Sequence, residues 1–420
     1  EVKVDRIEIA SARVSDGELE AVKKITRWAK SKNMLGKVEV LTFVDGAISI
    51  DWMVGAGAKV QNLLTKGSLN HLTHQLKKTP AQHFAEIAKV IALAKKKGIE
   101  TNVYLEDWSN GMRNSPDYVF QYLDFITKQP VKRVMLPDTL GILTPDEVTD
   151  FIGQIIPKYP GIHFDFHGHN DYDLGTANVL EAVKSGVHGI HLTVNGMGER
   201  AGNAALASAV AVLHDFLPKV KTGVVEKSLY QVSRLVETFS GFRIPDNKPI
   251  VGENVFTQTA GIHADGDKKN NLYHNDLIPE RFARQRKYAL GKTSGKSNIE
   301  NNLAQLGIEL SDSDLKKVTQ RIIELGDKKE VVTQSDLPYI LSDVLGSSSI
   351  EETVRFENYV LTHSKHLRPS VTLQVSINGE VFEEHAQGDG QYDAFMNALR
   401  NIYKKKKMQM AVLTDYAVRM

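Results

Sequence analysis

An alternation that persists through the first 240 residues constrains this chain more than any other feature. Residues 4–11 are short, apolar and β-branched. Residues 16–30 then carry Leu19, Val22, Ile25 and Trp28 at helical spacing. Residues 38–44, 59–65, 101–106, 133–137, 163–166 and 189–194 read as further strands. Helix-like runs lie between them, and Thr79-Pro80, Ser115-Pro116 and Thr144-Pro145 open three of these with proline at the first helical position. Such alternation predicts a parallel sheet with right-handed crossovers. Seven strand–helix units would suit an open doubly wound sheet, whereas a TIM barrel needs eight. No Gly-x-Gly-x-x-Gly turn follows any strand, so a dinucleotide crevice lacks support. Polar residues instead end nearly every strand: Glu106, Asp138 with Thr139, His167 with His169, and Asn195. That is the distribution of a barrel's catalytic rim. The expectation is an α/β fold, a (β/α)8 TIM barrel whose first unit lies upstream of Glu1.

The alternation stops near Ser240, and 420 residues exceed one domain of about 150. The divisions expected are a barrel over 1–241, an irregular segment over 242–297, helices over 298–350 ending in a Gly/Ser hinge, and a small α+β module over 351–420. In that module, residues 370–377 alternate apolar and polar, and Asn378-Gly379 makes a hairpin turn into 381–385. A helix over 391–403 and a strand over 410–418 follow. Lys+Arg is 52 against Asp+Glu 51, a balance that argues against a nucleic-acid binder and a polybasic membrane surface. No run approaches the roughly 20 apolar residues of a membrane span. Lys404 to Lys407 follow a helix and solvate its C-terminal end. Cysteine is absent, which removes disulfides, thiolate metal sites and thiol nucleophiles, and fits a reducing, cytoplasmic setting.

The strongest chemical signal is His167-Gly168-His169-Asn170-Asp171 at a strand end. Two residues apart on a strand, the histidines project on one side. Neutral imidazole is a common ligand for divalent metals. A pair of hydrogen-bonding rim histidines is an equal alternative on the doublet alone. The second signal is the loop Asn195-Gly196-Met197-Gly198-Glu199-Arg200-Ala201-Gly202-Asn203, whose three glycines permit close backbone approach. Read by itself, Asn203 suits a helix N-cap better than a ligand.

These two segments together resemble the 2-isopropylmalate, homocitrate and citramalate synthase family, metal-dependent TIM-barrel enzymes that condense acetyl-CoA with a 2-oxo acid. The resemblance runs over essentially the whole chain. It implies that His167, His169 and Asn203 are metal ligands, with Zn2+, Mn2+ or Mg2+ as the divalent ion. The family's Asp ligand and a catalytic Arg belong to a Leu-Arg-Asp-Gly-x-Gln motif not found in this sequence. Asp173 and Leu174 also depart from the family's usual Gly and small or apolar residue.

The same resemblance implies catalytic roles for Glu106, His263 and Tyr273. Glu106 otherwise reads as a solvated rim charge, and His263 as a structural residue of an irregular segment; in the family that segment covers the barrel mouth. The resemblance places acceptor-binding residues at Leu41, Asn62, Leu64, Tyr104 and Thr139, although Thr139 read alone is a cap. The mechanism implied is a Claisen condensation. The metal polarises the keto carbonyl, His263 with Glu106 removes a methyl proton from acetyl-CoA, and thioester hydrolysis releases CoA. Hydroxymethylglutaryl-CoA lyase shares the barrel but relies on a cysteine that this chain lacks. Condensation with 2-oxoisovalerate (2-isopropylmalate synthase) is placed first, ahead of condensation with pyruvate (citramalate synthase), which Tyr104 suits. Homocitrate synthesis and a non-catalytic amino-acid sensor are further alternatives. The C-terminal module resembles part of the family's regulatory domain, implying a homodimer inhibited by leucine or isoleucine.

Overall fold

Seven of the expected strands form, and each is followed by helical structure. In the computed structural model, which describes residues 2–268, 272, 275–330, 332–346 and 354–410, the first unit comprises Glu1–Gln258 and Asp265–Lys287. Its strands are β1 (Ile7–Ile9), β2 (Val38–Phe43), β3 (Val60–Lys66), β4 (Glu100–Glu106), β5 (Arg133–Asp138), β6 (His163–Gly168) and β7 (Gly189–His191). They pair in parallel and in strict chain order, β1 to β7. A doubly wound sheet reverses its strand order at a switch point; this one never does, so it is a curled, barrel-type sheet. Among the described residues β1 and β7 are its two edges. Both edge strands are shorter than the apolar runs of the sequence.

Period-two alternation divides the sheet into two chemistries. One face carries Val40, Leu63, Val103, Leu105, Val134, Leu136, Phe164 and Phe166, all buried in the main core. That face packs against the helices α1 (Asp16–Ser31), α2 (Ile48–Gly55), α3 (Pro80–Lys96), α4 (Trp108–Asn114), α5 (Pro116–Ile126), α6 (Pro145–Ile155) and α7 (Gly175–Lys184). The opposite, inner face is largely polar. Glu8, Glu39, Asn62, Tyr104, Arg133, Asp165 and His191 all lie on it, one from each strand. Two helix starts use the expected cap. Thr79 and Gln82 close a capping box on α3, as Thr144 and Glu147 do on α6. Ser115 gives α5 no side-chain cap; its hydroxyl accepts from the Leu69 N–H instead. After β7 the chain makes helices α8 (Leu206–Phe216) and α9 (Leu229–Ser240).

The second unit comprises Thr259–Ala264 and Tyr288–Met420. Helices Lys296–Gln305, Asp312–Asp327 and Leu337–Leu345 share a core of Ile299, Leu303, Val318, Ile322 and Leu337. An antiparallel sheet of Val354–Thr362, Ser370–Ile377 and Glu380–Gln387 packs Val371, Leu373 and Val375 against Ala398 and Ile402 of helix Gln391–Lys405. Its hairpin turns at Asn378 and Gly379, both at positive φ, as a type I′ turn requires. The strand Val354–Thr362 escapes sequence reading because its apolar residues Phe356, Tyr359 and Val360 lie exposed, without one-sided alternation. Conversely, Gly261–Lys268 is helical where the sequence reads as irregular. The hinge beyond Gly346 and the final strand beyond Met410 lie outside the described residues. No helix among the described residues is long and apolar enough to cross a membrane.

Candidate active site

The carboxyl end of β6 positions the two expected histidines. Their rings lie 5.1 Å apart, and backbone bridging pairs His169 with Asn203. Asn203 is therefore no helix cap: α8 starts three residues later, after Ala205. The Gly-rich loop folds back so that Asn203 N–H reaches Gly196 O at 3.0 Å and Ala204 N–H reaches Gly168 O at 3.0 Å. Gly202, at φ +84°, permits this return; a Cβ there would stand 1.9 Å from Gly196 O. Arg200 clasps the two segments. It donates to Asp171 at 2.7 and 3.1 Å, and to Thr139 O at 2.7 Å.

The donor set fits a metal. Nδ1 of His167, Nδ1 of His169 and Oδ1 of Asn203 are each buried without a hydrogen-bond partner. Native interiors leave few polar atoms so, and these three, beside the end of β6, have free capacity to donate electron pairs to a cation. Burial, reinforced by neighbouring His191 and His169, holds the His167 imidazole well below its ordinary range. Burial and then Arg200 lower His169. Both are thus neutral, the form that binds metal. Among the described residues no three His, Cys, Asp or Glu side chains gather as a metal group, so the amide oxygen of Asn203 is needed to make a third donor.

Of the other expected residues, Leu41, Asn62, Leu64, Tyr104 and Glu106 share the inner face of the sheet by register. Leu64 and Tyr104 are direct cross-strand neighbours, as are Leu41 and Asn62. The Tyr104 ring stands edge-on to His167, with centroids 5.8 Å apart. Asn62 is fully buried and committed on every side: it donates to Glu8 and Glu39 and accepts from Asn102. Thr139 accepts from Asp107 N–H at 2.8 Å and keeps its own proton to donate. Glu106, at the end of β4, pairs with Lys66 at the end of β3. His263 lies in the helix Gly261–Lys268, within the second unit. Tyr273 lies outside the described residues.

Sequence reading named Asn62 and Tyr104 but not the ring of polar side chains to which they belong. Arg133 donates to Glu39 and, at 2.7 Å, to Asp165. Asp165 faces His191 Nε2 at 3.1 Å, and His191 Nδ1 lies 2.6 Å from the Tyr104 hydroxyl. Tyr104 donates to Glu8 at 2.8 Å, and Asn62 joins Glu8 back to Glu39. Seven residues, one per strand, thus close a circuit. Burial alone would raise the Asp165 carboxyl, but His163, His191 and Arg133 carry it well below the usual carboxylate range. Burial opposes protonation of His191, yet Asp165 and then Glu8 raise it.

An in-order parallel sheet whose carboxyl strand ends carry imidazole, amide and carboxylate groups defines a TIM-barrel protein. The family model described as HMGL-like matches residues 1–236. The chain belongs to that family. The model described as homocitrate synthase post-HMGL domain-like matches 250–330, and the LeuA allosteric (dimerisation) domain matches 331–420. A putative (R)-citramalate synthase of Methanopyrus kandleri is 32% identical over 405 residues, 96% of this chain and 78% of that one. The (R)-citramalate synthase of Methanocaldococcus jannaschii is 32% identical over 402 residues, 95% and 80% of the two chains. A probable 2-isopropylmalate synthase of Ignicoccus hospitalis is 35% identical over 342 residues, 81% and 84%. Among solved structures, a hydroxymethylglutaryl-CoA lyase of Pseudomonas aeruginosa gives a TM-score of 0.46 at 15% identity, covering 58% of this chain and 83% of that one.

Proposed function

We propose that this chain is an acyltransferase that condenses acetyl-CoA with a 2-oxo acid and releases CoA, and that its preferred acceptor is pyruvate, giving citramalate. The observation that carries the choice of acceptor is the fixed Tyr104 ring beside His167. A phenol held at two points cannot swing aside for an isopropyl group, whereas a methyl group needs no such room. This reverses the order in which the sequence placed the two acceptors. Names among the relatives support the reaction class and divide between the two acids.

His167, His169 and Asn203 would hold a divalent cation. When bound, it supplies Lewis-acid polarisation of the acceptor's keto group. Thr139 donates its hydroxyl proton to the acceptor carboxylate, with its oxygen anchored by Asp107 N–H. Leu41, Leu64 and the Tyr104 ring contact the acceptor's alkyl end and exclude water from it. Glu106, its charge balanced by Lys66, takes part in removing the methyl proton of acetyl-CoA. His263 and Tyr273 keep their proposed catalytic parts on family resemblance alone. The family match over 331–420 supports a homodimer whose C-terminal module binds an end-product amino acid, isoleucine for a pyruvate-using enzyme and leucine for the branched acceptor.

The test is CoA thiol release by the full-length gene product with Mn2+ or Zn2+, comparing pyruvate with 2-oxoisovalerate. Higher kcat/KM with pyruvate is the expected result. Faster turnover of 2-oxoisovalerate would make the protein a 2-isopropylmalate synthase. No release with either acid would remove the synthase reading.

A further inference from the structure

We propose that His191 is a positioning residue that sets acceptor specificity through Tyr104. The inference rests on the reading that Tyr104 contacts the acceptor. His191 is not among the rim residues: it lies on β7 and reaches the Tyr104 hydroxyl from the opposite edge of the sheet to Glu8 on β1.

A carboxylate only accepts, so Glu8 takes the single proton of the Tyr104 hydroxyl. The phenol oxygen must then accept on its other side, and the group 2.6 Å away is His191 Nδ1, which therefore donates. The imidazole is itself fixed, because Nε2 faces Asp165 and Asp165 is held by Arg133 at 2.7 Å. Two contacts meeting at one phenol oxygen lock both rotatable bonds of the Tyr104 side chain. The ring is held edge-on to His167 and edge-on to His191, at 5.8 and 5.5 Å between centroids. Loss of either contact leaves the oxygen hinged on one partner, and the ring gains room to tilt away from the metal-site histidines. The space released lies where a longer acceptor side chain would go. Position 191 thus governs which acids fit without touching them.

The experiment measures kcat/KM for pyruvate and for 2-oxoisovalerate with full-length protein, wild type and variants, each checked for folding by its circular dichroism spectrum and melting temperature. His191→Leu removes the donor, and Glu8→Gln weakens the opposite contact with little change of shape. His191→Asn keeps an amide donor near the place of Nδ1. The expected result is a ratio of 2-oxoisovalerate to pyruvate efficiency about tenfold higher in the Leu variant. A smaller rise is expected in Glu8→Gln, and a return toward wild type in His191→Asn. Val103→Ala, on the apolar face of β4, destabilises the same strand and should leave the ratio unmoved. Equal loss with both acids in His191→Leu and Glu8→Gln, at a constant ratio, would overturn the proposal and leave the ring a structural feature only. Should His191→Leu fail to fold, Glu8→Gln carries the comparison. A wild type that favours 2-oxoisovalerate would defeat the pyruvate assignment, yet the change of ratio between wild type and variants would still decide the role of His191. A wild type inactive with both acids moves the same comparison to calorimetric binding of the two acids, where an unchanged affinity ratio in the variants would overturn it.

Discussion

Three side chains carry the metal proposal, and each has a distinct expected effect. His167→Ala and His169→Ala remove one nitrogen donor each, and Asn203→Ala removes the only oxygen. Calorimetric titration with Zn2+ or Mn2+ should show affinity lowered by about tenfold or more in each. Unchanged affinity in Asn203→Ala would return that residue to a loop-holding role. A second residue-scale prediction concerns His83, buried in α3 with Nε2 accepting from Lys66 N–H. Burial pushes its imidazole down from the ordinary 6.5 to about 4. An unfolded chain takes up this proton near pH 6.5 and the folded chain only near pH 4. Stability is therefore complete above pH 6.5 and falls as pH drops from 6.5 to 4, by about 3 kcal/mol at most. Urea midpoints at pH 7 and 4.5 measure this, and His83→Gln should flatten the difference. At this scale the sequence displayed what adjacency displays. His167 and His169 are legible because two positions on one strand face the same way. Asn203 became a ligand candidate only through its family motif, since 34 positions separate it from His169 and only the fold pairs them. His191 and Lys66 were illegible because their partners lie on other strands.

Elements were legible wherever the signal was local. Thr79-Pro80 and Thr144-Pro145 start helices with capping boxes, since cap, proline and third helical residue all lie within one turn. Ser115-Pro116 shows the limit: the same spelling starts a helix, but tertiary structure takes the hydroxyl for Leu69. Thr79→Ala should lower stability by about 1 kcal/mol, read from the denaturant midpoint. The Gly-rich loop is the more exacting element. Gly202→Ala puts a methyl group against Gly196 O in a left-handed backbone, which should cost about 1–3 kcal/mol and shift Asn203. Reduced metal affinity together with a lower melting temperature is the expected pair of results. A lower melting temperature with unaltered affinity would show that Asn203 is not tied to the loop's geometry. The exposed strand Val354–Thr362 had no such local signal, because strand pairing with Ser370–Ile377 rather than a buried face defines it.

For the whole molecule, two compact units with separate apolar cores predict calorimetric unfolding that departs from one two-state transition. Metal that binds the rim should raise the barrel's transition by mass action. A single two-state transition, unaffected by Zn2+ or Mn2+, would contradict both points. The barrel itself was legible as a whole: strict strand–helix alternation and polar strand ends suffice for it. Its inner circuit was not, because a circuit that takes one residue from each strand has no spacing to recognise. That circuit also bears on how the protein is made. Glu8, Glu39 and Asn62 leave the ribosome long before Asp165 and His191, the last partners in the chain. Until then the inner side of the growing sheet shows water Glu8, Glu39 and Asn62 among its apolar side chains. The charges of these early strands find their last partners only when Asp165 and His191 arrive.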